Sequence, residues 1–407
     1  MVRMTVAGGS SPFTIGLIDS LLPHLDELPT CELVLHGRNI AALGLLADYA
    51  RFVLEPSGWS VSHTTDLTLA SREANIIIHQ IRYGGLELRR LGETICNNHH
   101  VLADETLGPA ALITAVLSLP HLKKTCETIE KSAPTAVVLN LTNPLSLSTS
   151  VMSSCMPNTV IGICELPTVT ASMVSEELGI QSEKLSWKYS GFNHRGFLHD
   201  LFIDGVDARA RLTRALKGRR LNGVDVATIT ELEVVPTKYF PLFQNSSPSN
   251  VEKASRAQVL KNLRGEVLSE LKQNPCRSPK SLRKRYLEWY PKAVVPILLA
   301  ICDCQPAFCL VNSTTSDQIN GLPLTREGLA KVSSDCFEMS LTEPKNAAAK
   351  KWLGRYEQHE KAMLEGLSST PKLDWIHNAL SADPTIQTKF DELSRVVFKT
   401  CQEYQIE

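Results

Sequence analysis

Residues 3–22 read RMTVAGGSSPFTIGLIDSLL. Five residues suited to a buried strand (3–7) run into Gly8, Gly9, Ser10 and Ser11. From Thr14 the apolar positions Ile15, Leu17, Ile18, Leu21 and Leu22 follow helical spacing. A strand, a glycine turn and a helix in that order form the phosphate-binding corner of a dinucleotide fold. The glycines let the backbone approach a pyrophosphate, and the helix N-terminus turns free N–H groups toward it. Gly8, Gly9, Ser10 and Ser11 are therefore candidate cofactor-binding residues, although a double glycine alone also suits a structural turn.

Outward from this corner, further apolar runs fit a parallel sheet covered on both faces. The second strand, ELVLHG (32–37), ends on Gly37 and Arg38 rather than on the acidic residue that accepts the ribose hydroxyls of NAD. That pairing makes room for the 2′-phosphate of NADP and supplies a cation for it; a solvated arginine in a turn is the alternative. ANIIIHQ (74–80) ends on Gln80, beside the turn glycines Gly84 and Gly85 and the arginines Arg89 and Arg90. TAVVLNLTNP (135–144) ends on Thr142, Asn143 and Pro144, and NTVIGIC (158–164) ends on Cys164. Ligands of such sheets bind at the carboxyl ends of the strands, so Asn143 is placed to touch a sugar or ribose hydroxyl.

VIGICELP (160–167) puts Cys164 beside Glu165, and SGFNHRGF (190–197) presents Asn193 and His194 between two expected strands. A thiolate, an imidazole and oxygen ligands suit a borderline divalent metal; a core thiol and a structural histidine would give the same spacing. ADETLGP (103–109) sets Asp104 and Glu105 ahead of a helix. From residue 205 the alternation of strand and helix gives way to mostly helical sequence, with a long helix from about Val251 to Gln273 and a run of helices from Asn346 to Tyr404. The fold expected is α/β: a Rossmann-like doubly wound parallel sheet over residues 1–185, followed by a mixed, mostly helical α+β domain over 186–407 for substrate and metal binding and oligomerisation.

Composition excludes several classes. With 42 Lys+Arg against 43 Asp+Glu, the net charge of -1 gives no bulk attraction to nucleic acid or to an acidic membrane. Eleven cysteines without paired CxxC clusters point to a reduced, cytoplasmic setting. No apolar run approaches the roughly 20 residues that span a bilayer. Cys302, Cys304 and Cys309 lack a matching second half of a zinc site and fit a buried strand better.

Taken together, AGGSSPFT (7–14), IHQIRYGGLELR (78–89), DETLGP (104–109), LTNP (141–144), GICELP (162–167), SGFNH (190–194), PTKYF (236–240), SRAQVL (255–260) and the late segment from AAAKKWLGRYEQHEKAML (347–364) through Asp383 and Pro384 resemble glycoside hydrolase family 4. That family comprises the NAD- and metal-dependent 6-phospho-glucosidases and α-galactosidases. It stands apart from the glycosidases that cleave with a pair of carboxylates. The resemblance implies hydride removal at C3 of the sugar, proton removal at C2, elimination, water addition and re-reduction. It implies Cys164 and His194 as ligands of Mn2+ or another divalent metal, Tyr239 as the base, and Glu165 as proton donor to the leaving group. Arg89, Glu105, Asn143, Asn193 and Arg256 become substrate contacts, with Arg38 and Gln80 joining the glycine turn around NAD or NADP. It also implies a homo-oligomer, dimer or tetramer. The chain departs from the family pattern at Gly37, Gly92 and Asp104, and in the residues after Tyr239. An NAD(P)- and metal-dependent sugar oxidoreductase, epimerase or dehydratase is the alternative function, and a catalytically silent nucleotide-binding relative is a third.

Overall fold

The computed structural model describes residues 1–244, 255–285, 287–302, 307–334, 336–368, 370–386 and 390–406. Six strands, β1 (Val2–Ala7), β2 (Cys31–His36), β3 (Ser60–Thr64), β4 (Ile76–His79), β5 (Val137–Asn140) and β6 (Val160–Gly162), pair in parallel in the order 3-2-1-4-5-6. This is the doubly wound dinucleotide-binding order, and the expected α/β class is what the chain adopts. The pleat divides the apolar runs between two cores: Ile77 joins the cluster under helix Gly108–Ser132 and the C-terminal helices, whereas Ile76 and Ile78 join the one under helix α1 (Thr14–Leu21) and helix Ile40–Leu54.

Beyond β6 the sheet continues in antiparallel sense. A long hairpin, Ala307–Ile319 with Leu322–Val332, meets β6 where Asn312 faces Gly162, and meets β7 (Leu185–Phe192) where Glu327 faces Gly191. β7 pairs with β8 (Arg195–Ile203) through a two-residue turn, Asn193-His194, as expected of strands flanking His194. The sheet therefore runs unbroken across residue 185. The turn is tight because Gly191 carries no side chain: a Cβ there would lie 2.4 Å from the Arg195 carbonyl oxygen.

The structure differs from expectation in detail. The hairpin strand Leu322–Val332 has no counterpart among the expected elements. The helix expected from about Val251 begins at Arg256, capped by the Ser255 hydroxyl on the Gln258 N–H, while 251–254 lie outside the described residues. Cys302 ends helix Val295–Ile301 and only Cys309 sits in a strand; Cys304 lies outside the described residues. Three helices, Ala347–Leu367, Leu373–Ala382 and Phe390–Glu403, complete the chain as expected. No described helix is long and apolar enough to cross a membrane.

Candidate active site

One cavity of about 810 Å³ opens along the carboxyl ends of the parallel strands. At one end is the glycine turn. Gly8 adopts φ +94°, and a Cβ there would lie 2.8 Å from the Gln80 carbonyl, so only glycine fits between β1 and β4. The Gly8 and Gly9 N–H groups donate to the His36 carbonyl at 3.0 and 2.6 Å, tying the turn to the end of β2. Gly8, Ser10, Ser11 and Arg38 line the cavity. At Gly37 a Cβ would meet the Ser10 Oγ at 2.3 Å, so the place of a ribose-binding carboxylate is already filled by the turn itself.

Gln80 also lines the cavity, but both ends of its amide are engaged. Its Nε2 donates to the Thr14 hydroxyl at 2.8 Å and its Oε1 accepts from the Tyr290 hydroxyl at 2.7 Å. It braces the wall between the turn and a helix far along the chain.

At the other end stand the residues that follow β5, β6 and β7. Asn140, fully buried, donates to Ser148 and Thr149 and accepts from the Thr142 N–H, which fixes the loop that carries Asn143 into the cavity. Asn143 Nδ2 donates to Glu105 at 3.4 Å. Glu105 is held by Arg82 and, at 2.8 Å, by Arg89; although burial works the other way, these guanidiniums keep it well below the usual carboxylate range. Arg89 is committed further to Glu93 at 2.7 Å and does not line the cavity. Arg82, Arg264 and Arg285 do. Arg285 lies 4.0 Å over the Phe13 ring, and burial together with Arg82 lowers it to about 10. Arg256 is exposed at its helix start, away from the lining.

Cys164, Glu165, Asn193 and His194 share this end. Burial, then Glu327 and Glu165, push the Cys164 thiol up, while the Leu166 N–H and the Asn193 side chain favour its thiolate. Burial, and next Lys238, push His194 down to about 3, so its imidazole is neutral, and its buried Nδ1 has no hydrogen-bond partner. His194 takes φ +63°, in the left-handed region, at the second position of the two-residue turn. Burial raises Glu165 and Lys238 offsets it in part. Tyr239 stacks on His194, centroids 4.5 Å apart at 11°, and stands behind that ring rather than on the wall. Burial, then Asp104 and Cys164, raise its phenol above the ordinary value.

A soft thiol, a neutral imidazole with an unpartnered nitrogen and an unpartnered Asn193 Oδ1 fit a borderline divalent metal. Among the described residues no group of three or more His, Cys, Asp or Glu side chains is placed to hold a metal ion, so Cys164 and His194 stand as a pair. A metal here would keep open positions for substrate oxygens.

Residues 3–180 match the model of the family 4 glycosyl hydrolases. Over that stretch the chain is similar to that family. Its relatives include a probable 6-phospho-beta-glucosidase of Bacillus subtilis (strain 168), 25% identical over 345 residues, 79% of this chain and 78% of the relative. A 6-phospho-beta-glucosidase of Escherichia coli (strain K12) is 26% identical over 348 residues, 79% of this chain and 77% of that one. Among solved structures, the Thermotoga maritima 6-phospho-beta glucosidase with manganese, NAD+ and glucose-6-phosphate superposes with a TM-score of 0.86 at 19% identity, covering 100% of both chains. A 6-phospho-alpha-glucosidase from gut microorganisms in complex with NAD and Mn2+ gives 0.84 at 18% identity, covering 99% and 97%. At such identities the likeness establishes the fold. The wall arginines Arg82, Arg264 and Arg285 escape a reading of the sequence, where nothing links three arginines spread over two hundred positions.

Proposed function

We propose that this chain is a glycoside hydrolase that binds a nicotinamide dinucleotide at the glycine turn and a divalent metal at Cys164 and His194, and cleaves a glycoside by oxidation, elimination, addition and re-reduction. The observation that carries it is the meeting of the Gly8–Ser11 turn and the Cys164, Asn193 and His194 group in one cavity at the strand ends. The bound dinucleotide and metal supply reversible oxidation at the sugar and polarisation of its oxygens. The chain's own side chains do the rest. Asn143 and Glu105 hold sugar hydroxyls. Tyr239, against the His194 ring, would take the proton next to the oxidised carbon as a phenolate, the form that a dication held by Cys164 and His194 would favour over the raised phenol. Glu165, whose burial favours the protonated form, gives its proton to the leaving oxygen. Arg82, Arg264 and Arg285 form a cationic wall suited to the phosphate of a 6-phosphoglycoside, the substrate type named for the relatives above.

The test is turnover of aryl glycosides and aryl 6-phosphoglycosides with Mn2+ and NAD+ in D2O. Deuterium at C2 of the released sugar is the expected result. Aglycone release without it would overturn the mechanism, and net accumulation of reduced cofactor would favour an oxidoreductase.

The adenosine end carries a finer proposal. The room expected at Gly37 is taken by Ser10, and we infer that Arg38 on the cavity wall alone would recognise a 2′-phosphate. Arg38→Ala is expected to weaken NADP+ binding about tenfold, the worth of one charge-assisted hydrogen bond, with NAD+ affinity nearly unchanged, as read by calorimetric titration. Equal losses for both would remove Arg38 from 2′-phosphate recognition.

A further inference from the structure

We infer that Glu327 is a positioning residue for the metal pair, acting through Asn193; this rests on the metal reading above. Glu327 sits on the hairpin strand directly opposite Gly191, two residues before Asn193, and is 1% exposed. Asn193 Nδ2 donates to Glu327 Oε1 at 3.0 Å. That bond fixes which way the amide faces: the nitrogen end is spent on Glu327, and the Oδ1 end, which has no partner, belongs to a residue on the cavity wall. The Asn193 side chain also reaches the Cys164 sulfur. One carboxylate thus sets the orientation of the side chain that bridges the thiol and the histidine turn.

A purely structural account of Glu327 fares poorly. Among the described residues no lysine or arginine forms an ion pair with it; the neighbouring Arg195 is taken by Glu360. Its Oε2 is buried without a partner. A carboxyl group buried with Asn193 as its one full hydrogen-bond partner is a standing cost that an apolar side chain of the same size would avoid. The cost turns into a benefit once a dication arrives at Cys164 and His194, because an acidic group that the dication would hold ionised stands behind a ligand-bearing turn that is already oriented.

The test is Mn2+ binding, followed by the paramagnetic resonance of free Mn2+ in the presence of NAD+, for the full-length wild type, Glu327→Gln, Glu327→Asp and Cys164→Ser. Glu327→Gln keeps the shape and is expected to weaken Mn2+ about 10–100-fold, the usual effect of losing an outer-sphere partner. Its NAD+ affinity should match that of the wild type, and its metal-free thermal midpoint should be no lower. Glu327→Asp, which keeps the charge with a shorter reach, is expected to fall between. Mn2+ affinity indistinguishable from wild type in Glu327→Gln overturns the inference while leaving the metal pair intact. Wild-type Mn2+ affinity in Cys164→Ser overturns the metal pair and the inference together.

Discussion

Replacing Cys164 with Ser is expected to lower metal-dependent kcat/KM by about a thousandfold or more, with the fold unchanged. The magnitude follows from the several kcal/mol that a Lewis acid contributes to stabilising developing charge. Serine matches cysteine closely in size, so the small cluster of Leu145, Cys164 and Leu166 should close without a void. A neutral hydroxyl is a much poorer ligand than a thiolate for a borderline metal. His194 cannot compensate, since it presents one unpartnered nitrogen and no third His, Cys, Asp or Glu joins the pair among the described residues. The check is steady-state kinetics across a Mn2+ titration, alongside a thermal melt to exclude unfolding. Full activity in the variant would take Cys164 out of the site. Dinucleotide affinity measured on the same sample should be retained, because the Gly8–Ser11 turn lies at the far end of the cavity.

What can be read in the sequence, and what cannot, divides along the distance over which a residue's role is determined. The corner at 3–22 is local in its pattern, with strand, turn and helix adjacent, although the steric demand on Gly8 comes from Gln80 at the end of β4. Cys164 and Asn143 are legible because each ends an apolar strand, and parallel strands deliver their ends to one edge. The Asn193-His194 turn shows itself as a polar break between two apolar runs. The resemblance makes Gln80 a cofactor contact, yet its amide is committed to Thr14 and to Tyr290, and the second partner is invisible from residue 80. Arg89 is a substrate contact by resemblance, but the carboxylates of Glu93 and Glu105 occupy it, and Arg82, Arg264 and Arg285 take the cavity wall. Glu327 escapes together with its whole strand. A signal is present there: Asn320 and Gly321, at φ +50° and +82°, form the Asn-Gly turn that favours a two-residue hairpin, flanked by residues suited to strands.

Replacing Arg195 with Met is expected to cost about 3–5 kcal/mol of stability, the usual penalty for stranding one half of a buried ion pair. Arg195 follows His194 directly and is 3% exposed. Its guanidinium donates to the Glu360 carboxylate and, at 2.5 Å, to His359 Nδ1, whose ring burial pushes down to about 4 and so keeps neutral. The other ring nitrogen, Nε2, lies 3.5 Å from an Asp383 oxygen. The network therefore fastens the first residue of β8 to helix Ala347–Leu367 and to the turn at Asp383, and through that backbone it anchors the turn carrying His194. Because these groups are excluded from solvent, salt should screen little of the effect. Urea unfolding followed by circular dichroism measures it. The double variant Arg195→Met with Glu360→Met removes both charges from the core, and it should recover most of the loss, since methionines fill the space without leaving a charge behind. A single variant as stable as wild type would mean that Glu360 is already neutral beside Arg195 and that the pair contributes nothing to holding the His194 turn in place.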